Sequence, residues 1–244
     1  MSKLNKKLLK TDVHVNVDTI EFELTGMPFE NYSKAEVTLM DISTGEIRER
    51  YGNFVYMVGK SNTHKMRVRT MNTGRKLKFS GSPFACVHGQ NIFTSGDVLK
   101  GCQIAIKRAI NKFNIAPSAE NLENWLSGDF NLTRVDLAVN FRMSSEAEVV
   151  EILKQVGHQL IERGVRISSY GSTVYYEPRC GKEYSVALYA KGPQLRRSKK
   201  YKLLPEKEKL LIEAGDILRV EVRLRTADLK KLHLKKASSW NSNT

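Results

Sequence analysis

Three stretches of strict apolar–polar alternation constrain this chain most: Thr133 to Phe141, Ser185 to Lys191 and Leu218 to Arg225. A side-chain period of two is that of a strand with one face buried. Alternation also fixes orientation. Val135, Leu137, Val139 and Phe141 point to a core and leave Arg134, Asp136 and Asn140 on the opposite face. In the second stretch Leu188 points inward, so Tyr189 and Lys191 point outward together. In the third, Leu218, Val220, Val222 and Leu224 point inward, while Arg219, Glu221, Arg223 and Arg225 point outward. Placed in one sheet, these strands present two carboxylates, a tyrosine and a lysine on one surface.

The rest of the chain supplies the frame for such a sheet. Val13 to Leu24 alternates and reads as a strand, as do Phe54 to Val58, Lys65 to Met71 and Arg75 to Phe79. Asn72-Thr73-Gly74 is a turn signal that makes the last two a basic hairpin. A loop from Ser80 through His88-Gly89-Gln90-Asn91 leads to a helix over Asp97 to Phe113, with Leu99, Ile106, Ile110 and Phe113 as its apolar stripe. Ser118 to Leu126 reads as a second helix. Ser145-Glu146-Ala147-Glu148 is a capping box that opens a helix to about Arg163. Short strands follow near Val165 to Ser168 and Ser172 to Glu177. A helix from about Pro205 is stopped by Gly215, and Thr226 caps a last one over Ala227 to Leu232. The expected class is α+β, a curved, mainly antiparallel sheet flanked by helices. The expected organisation is a basic, strand-rich half over 1–115 that grips DNA and a catalytic half over 116–236. A disordered tail over 237–244 follows, and the two halves form one compact domain.

Charge points to the partner. The 244 residues carry a net charge of +14. No Asp or Glu occurs between Arg50 and Gly96, where Arg67, Arg69, Arg75, Lys76 and Lys78 fall, together with Lys60. None occurs between Tyr184 and Pro205, where Arg196, Arg197, Lys200 and Lys202 fall. A solvated cationic surface is the plainer reading of one such run; two of them fit a nucleic-acid partner better. Of these residues, Arg67, Arg69, Arg75, Lys76, Lys78, Arg196 and Arg197, with Arg134, Arg219 and Arg223 from the strand faces, are the expected DNA contacts. No apolar run approaches the ~20 residues of a membrane span, and Met1 to Lys10 is basic without an apolar core, so a cytoplasmic protein with no membrane partner is expected. Cys86, Cys102 and Cys180 are scattered and odd in number, which argues against a disulfide framework or a zinc site.

The chemistry suggested by the strand faces is phosphoryl transfer. Tyr189 is the candidate nucleophile; ionising a free tyrosine at pH 7 costs about 4 kcal/mol, which a neighbouring cation offsets in part. Lys191 lies roughly 7 Å along the same face. The plainer alternative is a hydrogen-bonded strand tyrosine, and Tyr175, Tyr176 and Tyr184 are competing candidates. Asp136 and Glu221 are hard oxygen donors suited to Mg²⁺ or Mn²⁺. Their alternative is ion pairing with Arg134, Arg219 and Arg223, and Glu177 is a weaker third donor. No histidine pair spaced as His-X-His with a hydrophobic X is present, nor any Walker, GxGxxG, GxSxG or HExxH motif. The His88-Gly89-Gln90-Asn91 loop is either a base-contacting element or a plain connector.

In their order, TRVDLAVNF, SVALYAKGPQLRR and LRVEVRLRTADLKKLHL resemble the gene II replication protein family of filamentous phages, as does FSGSPFACVHGQNIFTSGDVL upstream. The resemblance spans roughly Leu77 to Lys236. It implies a rolling-circle initiator that nicks a double-stranded replication origin, single-stranded at the nick, and rejoins strands through a 5′-phosphotyrosyl intermediate. It implies Tyr189 and Lys191 as catalytic residues, Asp136 and Glu221 as ligands of Mg²⁺ or Mn²⁺, and Arg134 and Arg219 as their strand partners. Host replication proteins in a bacterial cytoplasm are the implied partners. The family loop typically reads Gln-Gly-His-Asn, so His88 and Gln90 receive no role. Two alternatives stay open: an origin-binding protein with no chemistry, which has no use for paired carboxylates, and an RNA-directed protein.

Overall fold

The computed structural model describes residues 14–59, 64–177, 184–199 and 206–240. Met1 to Lys10, Val13, Lys60, Cys180, Lys200, Lys202 and Pro205 lie outside the described residues. The strands are β1 (Val15–Leu24), β2 (Glu36–Met40), β3 (Ile47–Gly52), β4 (Val55–Val58), β5 (Lys65–Met71), β6 (Lys76–Gly81), β7 (Asn131–Arg142), β8 (Ile167–Ser169), β9 (Thr173–Tyr176), β10 (Ser185–Ala190) and β11 (Ile217–Arg225). The helices are α1 (Pro83–His88), α2 (Val98–Phe113), α3 (Ala119–Ser127), α4 (Glu146–Glu162), α5 (Lys191–Arg197), α6 (Lys207–Ala214) and α7 (Thr226–Lys231).

Nine strands form one open, antiparallel sheet in the order β4-β5-β6-β1-β7-β11-β10-β9-β8, and β2 and β3 form a separate hairpin. The fold is thus α+β. β1 pairs with both β6 and β7, so a single sheet runs through both halves of the chain. All three alternating stretches become adjacent strands, with β11 between β7 and β10.

Alternation gives this sheet one apolar and one polar face. On the apolar face Phe22 stacks on its cross-strand partner Phe79, ring centroids 4.5 Å apart. Around them pack Val17, Ile20, Leu77, Leu132 and Val135, with Cys102, Ala105 and Ile106 of α2 above. Truncating a ring such as Phe22 in this core would cost about 3–5 kcal/mol. Val149 and Leu153 of α4 cover Leu218, Val174 and Leu188 further along. The caps are those the residue types favour: Asp97 accepts from Lys100 N at 2.8 Å and Ser145 from Glu148 N at 3.2 Å.

Among the described residues, helices cover the polar face at one end. There Ile217, which shares a strand face with Arg219 and Glu221, packs with Ile92, Leu195, Leu210 and Ala214. This small apolar lid brings α5, α6 and the segment after α1 over the polar face. Three local features differ from expectation. Pro83–His88 is a helix rather than a loop. β10 ends at Ala190, so Lys191 opens α5 instead of continuing the strand. The segment from Ala237, expected to lack structure, forms a 3₁₀ turn over Ala237–Ser239 with Ala237 buried, and Trp240 Nε1 donates to Leu234 O at 2.8 Å.

Candidate active site

Register decides which polar side chains meet. Arg219 stands opposite Asn140 on one side and Tyr189 on the other; Glu221 stands opposite Ala138 and Ala187. Two alanines flank Glu221, so its carboxylate has open room to either side. Tyr189 lies diagonal to it, within reach of a long side chain. The Tyr189 hydroxyl donates to Glu221 Oε1 at 2.5 Å.

Arg219 organises everything around this contact. Its guanidinium has no exposed surface. A buried charge is tolerable only when its hydrogen bonds are made. Arg219 Nε donates to Glu221 Oε1 at 2.8 Å, and Nη2 to Asp18 Oδ1 at 2.8 Å. Nη1 donates to Asn91 O at 2.9 Å and Asn140 Oδ1 at 3.3 Å.

Asp18 and Asn91 were not among the expected site residues. Asp18 sits where the β1–β7 register shifts between Val17 and Thr19, and the bulge turns its carboxylate toward Arg219. A signal for this exists in the sequence. Apolar positions run odd at Val15 and Val17, then even at Ile20, Phe22 and Leu24, which requires one extra residue between them. Asn91 arrives from α1. Gly89 ends that helix with φ 79°, a conformation that glycine adopts without strain, and turns the chain over the polar face. The Gln90 side chain then fixes the turn, accepting from Ile92 N and Phe93 N and donating to Phe93 O. Asn91 Nδ2 donates to Asp18 Oδ1 at 3.0 Å, while its Oδ1 accepts from Lys191 Nζ at 3.2 Å. His88 is exposed at the end of α1.

Lys191 is buried, with its ammonium 5.6 Å from the Tyr189 ring centre. Burial, and then the Arg219 charge, bring its pKa down to about 8. Burial, and then the Glu221 carboxylate, push the Tyr189 hydroxyl well above its usual value. As folded, the tyrosine is therefore a phenol whose proton is already directed at Glu221.

Asp136 belongs to a second network. It is 4% exposed and accepts from Arg134 Nε at 2.7 Å, from Arg134 Nη2, and from Arg223 Nε at 3.3 Å. Arg134 also reaches Glu21, which pairs with Lys78 at 3.5 Å. Of the two expected metal ligands, Glu221 meets Tyr189 while Asp136 lies in this second network, and both are ion-paired, Glu221 with Arg219 and Asp136 with Arg134 and Arg223. Glu177 is engaged by Arg225. Tyr175 donates to Ser185 Oγ at 3.5 Å, and Tyr176 packs against Tyr184.

The expected DNA contacts divide. Arg219 is wholly buried, and Arg134 and Arg223 neutralise Asp136. Arg196 pairs with Glu146, and Lys76 with Glu23. Arg67, Arg75 and Arg197 are exposed.

Among the described residues no group of three or more His, Cys, Asp or Glu side chains is placed to hold a metal ion. Two carboxylates nevertheless converge, Asp18 and Glu221 on Arg219, while Asn91 meets Asp18 through its amide nitrogen and Lys191 through its amide oxygen. Mg²⁺ binds through one or two carboxylates and keeps waters and substrate phosphate as its other ligands, so the Asp18 and Glu221 carboxylates fit it. Asp18, Asn91, Ile92 and Lys65 line a cleft of about 350 Å³ beside the set.

The family model described as the N-terminal region of the phage replication-associated protein, the gene II product, matches residues 17–243. The replication-associated protein of this type from Enterobacteria phage I2-2 is 29% identical over 172 residues, covering 69% of this chain and 49% of that protein. The chain thus spans about half the length of that curated relative. A rolling circle replication initiator protein from Geobacillus stearothermophilus aligns over 91% of this chain and 78% of its own, at 14% identity and a TM-score of 0.36.

Proposed function

Because this chain belongs to the family of phage replication-associated protein N-terminal regions, we propose that it nicks and rejoins DNA at a replication origin. Tyr189 is the nucleophile in this reading. The observation that carries it is the 2.5 Å hydrogen bond from the Tyr189 hydroxyl to Glu221, made beside a cleft that Asp18 and Asn91 line.

Each residue has a part that its position supports. Glu221 takes the proton as the Tyr189 oxygen attacks a backbone phosphorus in line. A Tyr189 O–P bond forms, the P–O3′ bond breaks, and the 3′ oxygen leaves and takes a proton from solvent. The products are a free 3′ hydroxyl and a 5′ phosphate esterified to the tyrosine. Attack of a later 3′ hydroxyl on that ester restores the phenol and closes the strand. Lys191, charged below pH of about 8, steadies the phosphate oxygens. Arg219 holds Glu221 and Asp18 at fixed separation and touches neither DNA nor phosphate. Asp18 and Glu221, with Asn91 beside them, are the residues that would hold Mg²⁺ or Mn²⁺, whose charge would neutralise the transferring phosphate. The partners are origin DNA, single-stranded at the nick, and host replication proteins that extend the 3′ end in a bacterial cytoplasm. No helix of the described residues is long and apolar enough to cross a membrane.

A supercoiled plasmid carrying the cognate origin tests this. With Mg²⁺ the protein is expected to yield open circles, and the chain with Tyr189→Phe to yield none. Binding to the origin without any open circles, at any Mg²⁺ or Mn²⁺ concentration, would leave a DNA-binding protein with no chemistry.

A further inference from the structure

Cations on the polar face fall into two kinds. Arg134, Arg219 and Arg223 are neutralised by carboxylates. At the far corner of the sheet, Arg67 and Arg69 have no carboxylate partner among the described residues, and aromatic rings hold them instead. The Arg69 guanidinium lies against two rings, 4.8 Å from the centre of Tyr51 and 4.5 Å from that of Phe54. Arg67 lies 5.0 Å from Phe54 and donates to Ser80 Oγ at 2.9 Å. Lys65 Nζ sits 5.6 Å over the ring of Tyr56, a residue 49% exposed. An aromatic clamp fixes a guanidinium without cancelling its charge, so these arginines keep their full attraction for an anion.

This corner lies on the same polar face as the active site and shares a cleft with it. Tyr56, Arg67, Ser80, Glu21, Arg134 and Arg225 stand opposite one another in one cross-strand row from β4 to β11. Lys65, which covers Tyr56, also lines the cleft that Asp18 and Asn91 line. From β4 to β10 is six strand spacings, roughly 29 Å, which about eight nucleotides of single strand cover at ~3.4 Å each.

We propose that the β3–β4–β5 corner is a second DNA subsite that takes the single-stranded segment leading away from the nick. Tyr56 stacks on a base, and Arg67 and Arg69 contact phosphates. The occupant is single-stranded because an exposed ring needs an unpaired base face, which a duplex does not offer. The placement rests on the nicking reading for its direction, but binding at the corner needs no chemistry.

The test is fluorescence anisotropy of the whole chain with labelled oligodeoxythymidylate of about 20 nucleotides, longer than the ~4–16 that a single-strand-binding fold covers, against a duplex of equal length. Tyr56→Ala is expected to weaken single-strand binding about tenfold, with Tyr56→Phe and the duplex changing by less than about twofold. Arg67→Gln is expected to lower the slope of log affinity on log salt by about 0.7, one phosphate contact. Unchanged single-strand affinity in both Tyr56→Ala and Arg67→Gln overturns the subsite. Equal losses on single strand and duplex overturn it too, in favour of a duplex grip. Anisotropy without Mg²⁺ or Mn²⁺ reads binding and no cleavage, so failure of the chemistry and failure of this subsite register separately.

Discussion

Tyr189 and Glu221 lie on adjacent strands and meet at 2.5 Å, hydroxyl to carboxylate, while the same Glu221 oxygen also takes the Arg219 Nε–H at 2.8 Å. One oxygen thus serves as proton acceptor for a phenol and as counter-charge for a buried guanidinium. Glu221→Gln keeps the shape and removes the base. Nicking is expected to fall about 10²–10⁴-fold, the range for a lost general base, and the thermal midpoint should fall too, because buried Arg219 loses one of its two carboxylates. A rate within a few-fold of wild type in a plasmid relaxation assay removes Glu221 from proton transfer.

Arg219 should matter more for folding than for binding DNA. Arg219→Met leaves Asp18 and Glu221 facing each other unpaired. The expected loss is about 2–4 kcal/mol, below that of a fully buried pair because both carboxylates keep some water. Urea unfolding measures it. A larger effect on oligonucleotide affinity than on stability would mean that the guanidinium reaches the ligand after all.

Lys191 predicts a pH limit. Burial and Arg219 bring it from 10.5 to about 8, so its charge, and the phosphate contact it offers, is lost as pH rises through about 8. Nicking should decline there, and Lys191→Arg, always charged, should flatten that limb. The stability effect has the opposite sign. Between about 8 and 10.5 the unfolded chain binds the proton that the folded chain has released, so unfolding free energy rises with pH across that window. Lys191→Met should abolish this rise. An identical slope in the wild type and Lys191→Met would show that Lys191 titrates normally.

Asp136 and Asp18 should separate by readout. Asp136 is gripped by Arg134 and Arg223, so Asp136→Asn should lower the unfolding midpoint while leaving the Mg²⁺ concentration for half-maximal nicking unchanged. Asp18→Asn should raise that concentration by about tenfold or more. The reverse pattern would restore Asp136 as a metal ligand.

The polar face was legible in the sequence because alternation is local: Tyr189, Glu221 and Arg219 face the side that their strands' period assigns them. The helix from Val98 and that from Glu146 were equally plain, since Asp97 and Ser145 announce them. What escaped was set by long-range contact. Alternation alone gives Asp136 and Glu221 equal standing, and only the register, which puts Arg223 opposite Asp136 and alanines beside Glu221, separates them. Lys191 looked like a strand residue, and the burial that shifts it depends on α5 closing over the sheet end through Leu195 and Ile217. Asn91 lies in a loop that the sequence reads as either a base-contacting element or a plain connector; its place beside Asp18 follows from the path that Gly89 opens.

The nucleophile itself can be observed. Incubated with Mg²⁺ and a suicide substrate, a single-stranded origin oligonucleotide whose 3′ product dissociates, the protein should become covalently joined to DNA through a 5′ phosphate. Peptide mapping should place that adduct on Tyr189 and find none in Tyr189→Phe. An adduct that survives in Tyr189→Phe, or maps to Tyr175, Tyr176 or Tyr184, contradicts the assignment.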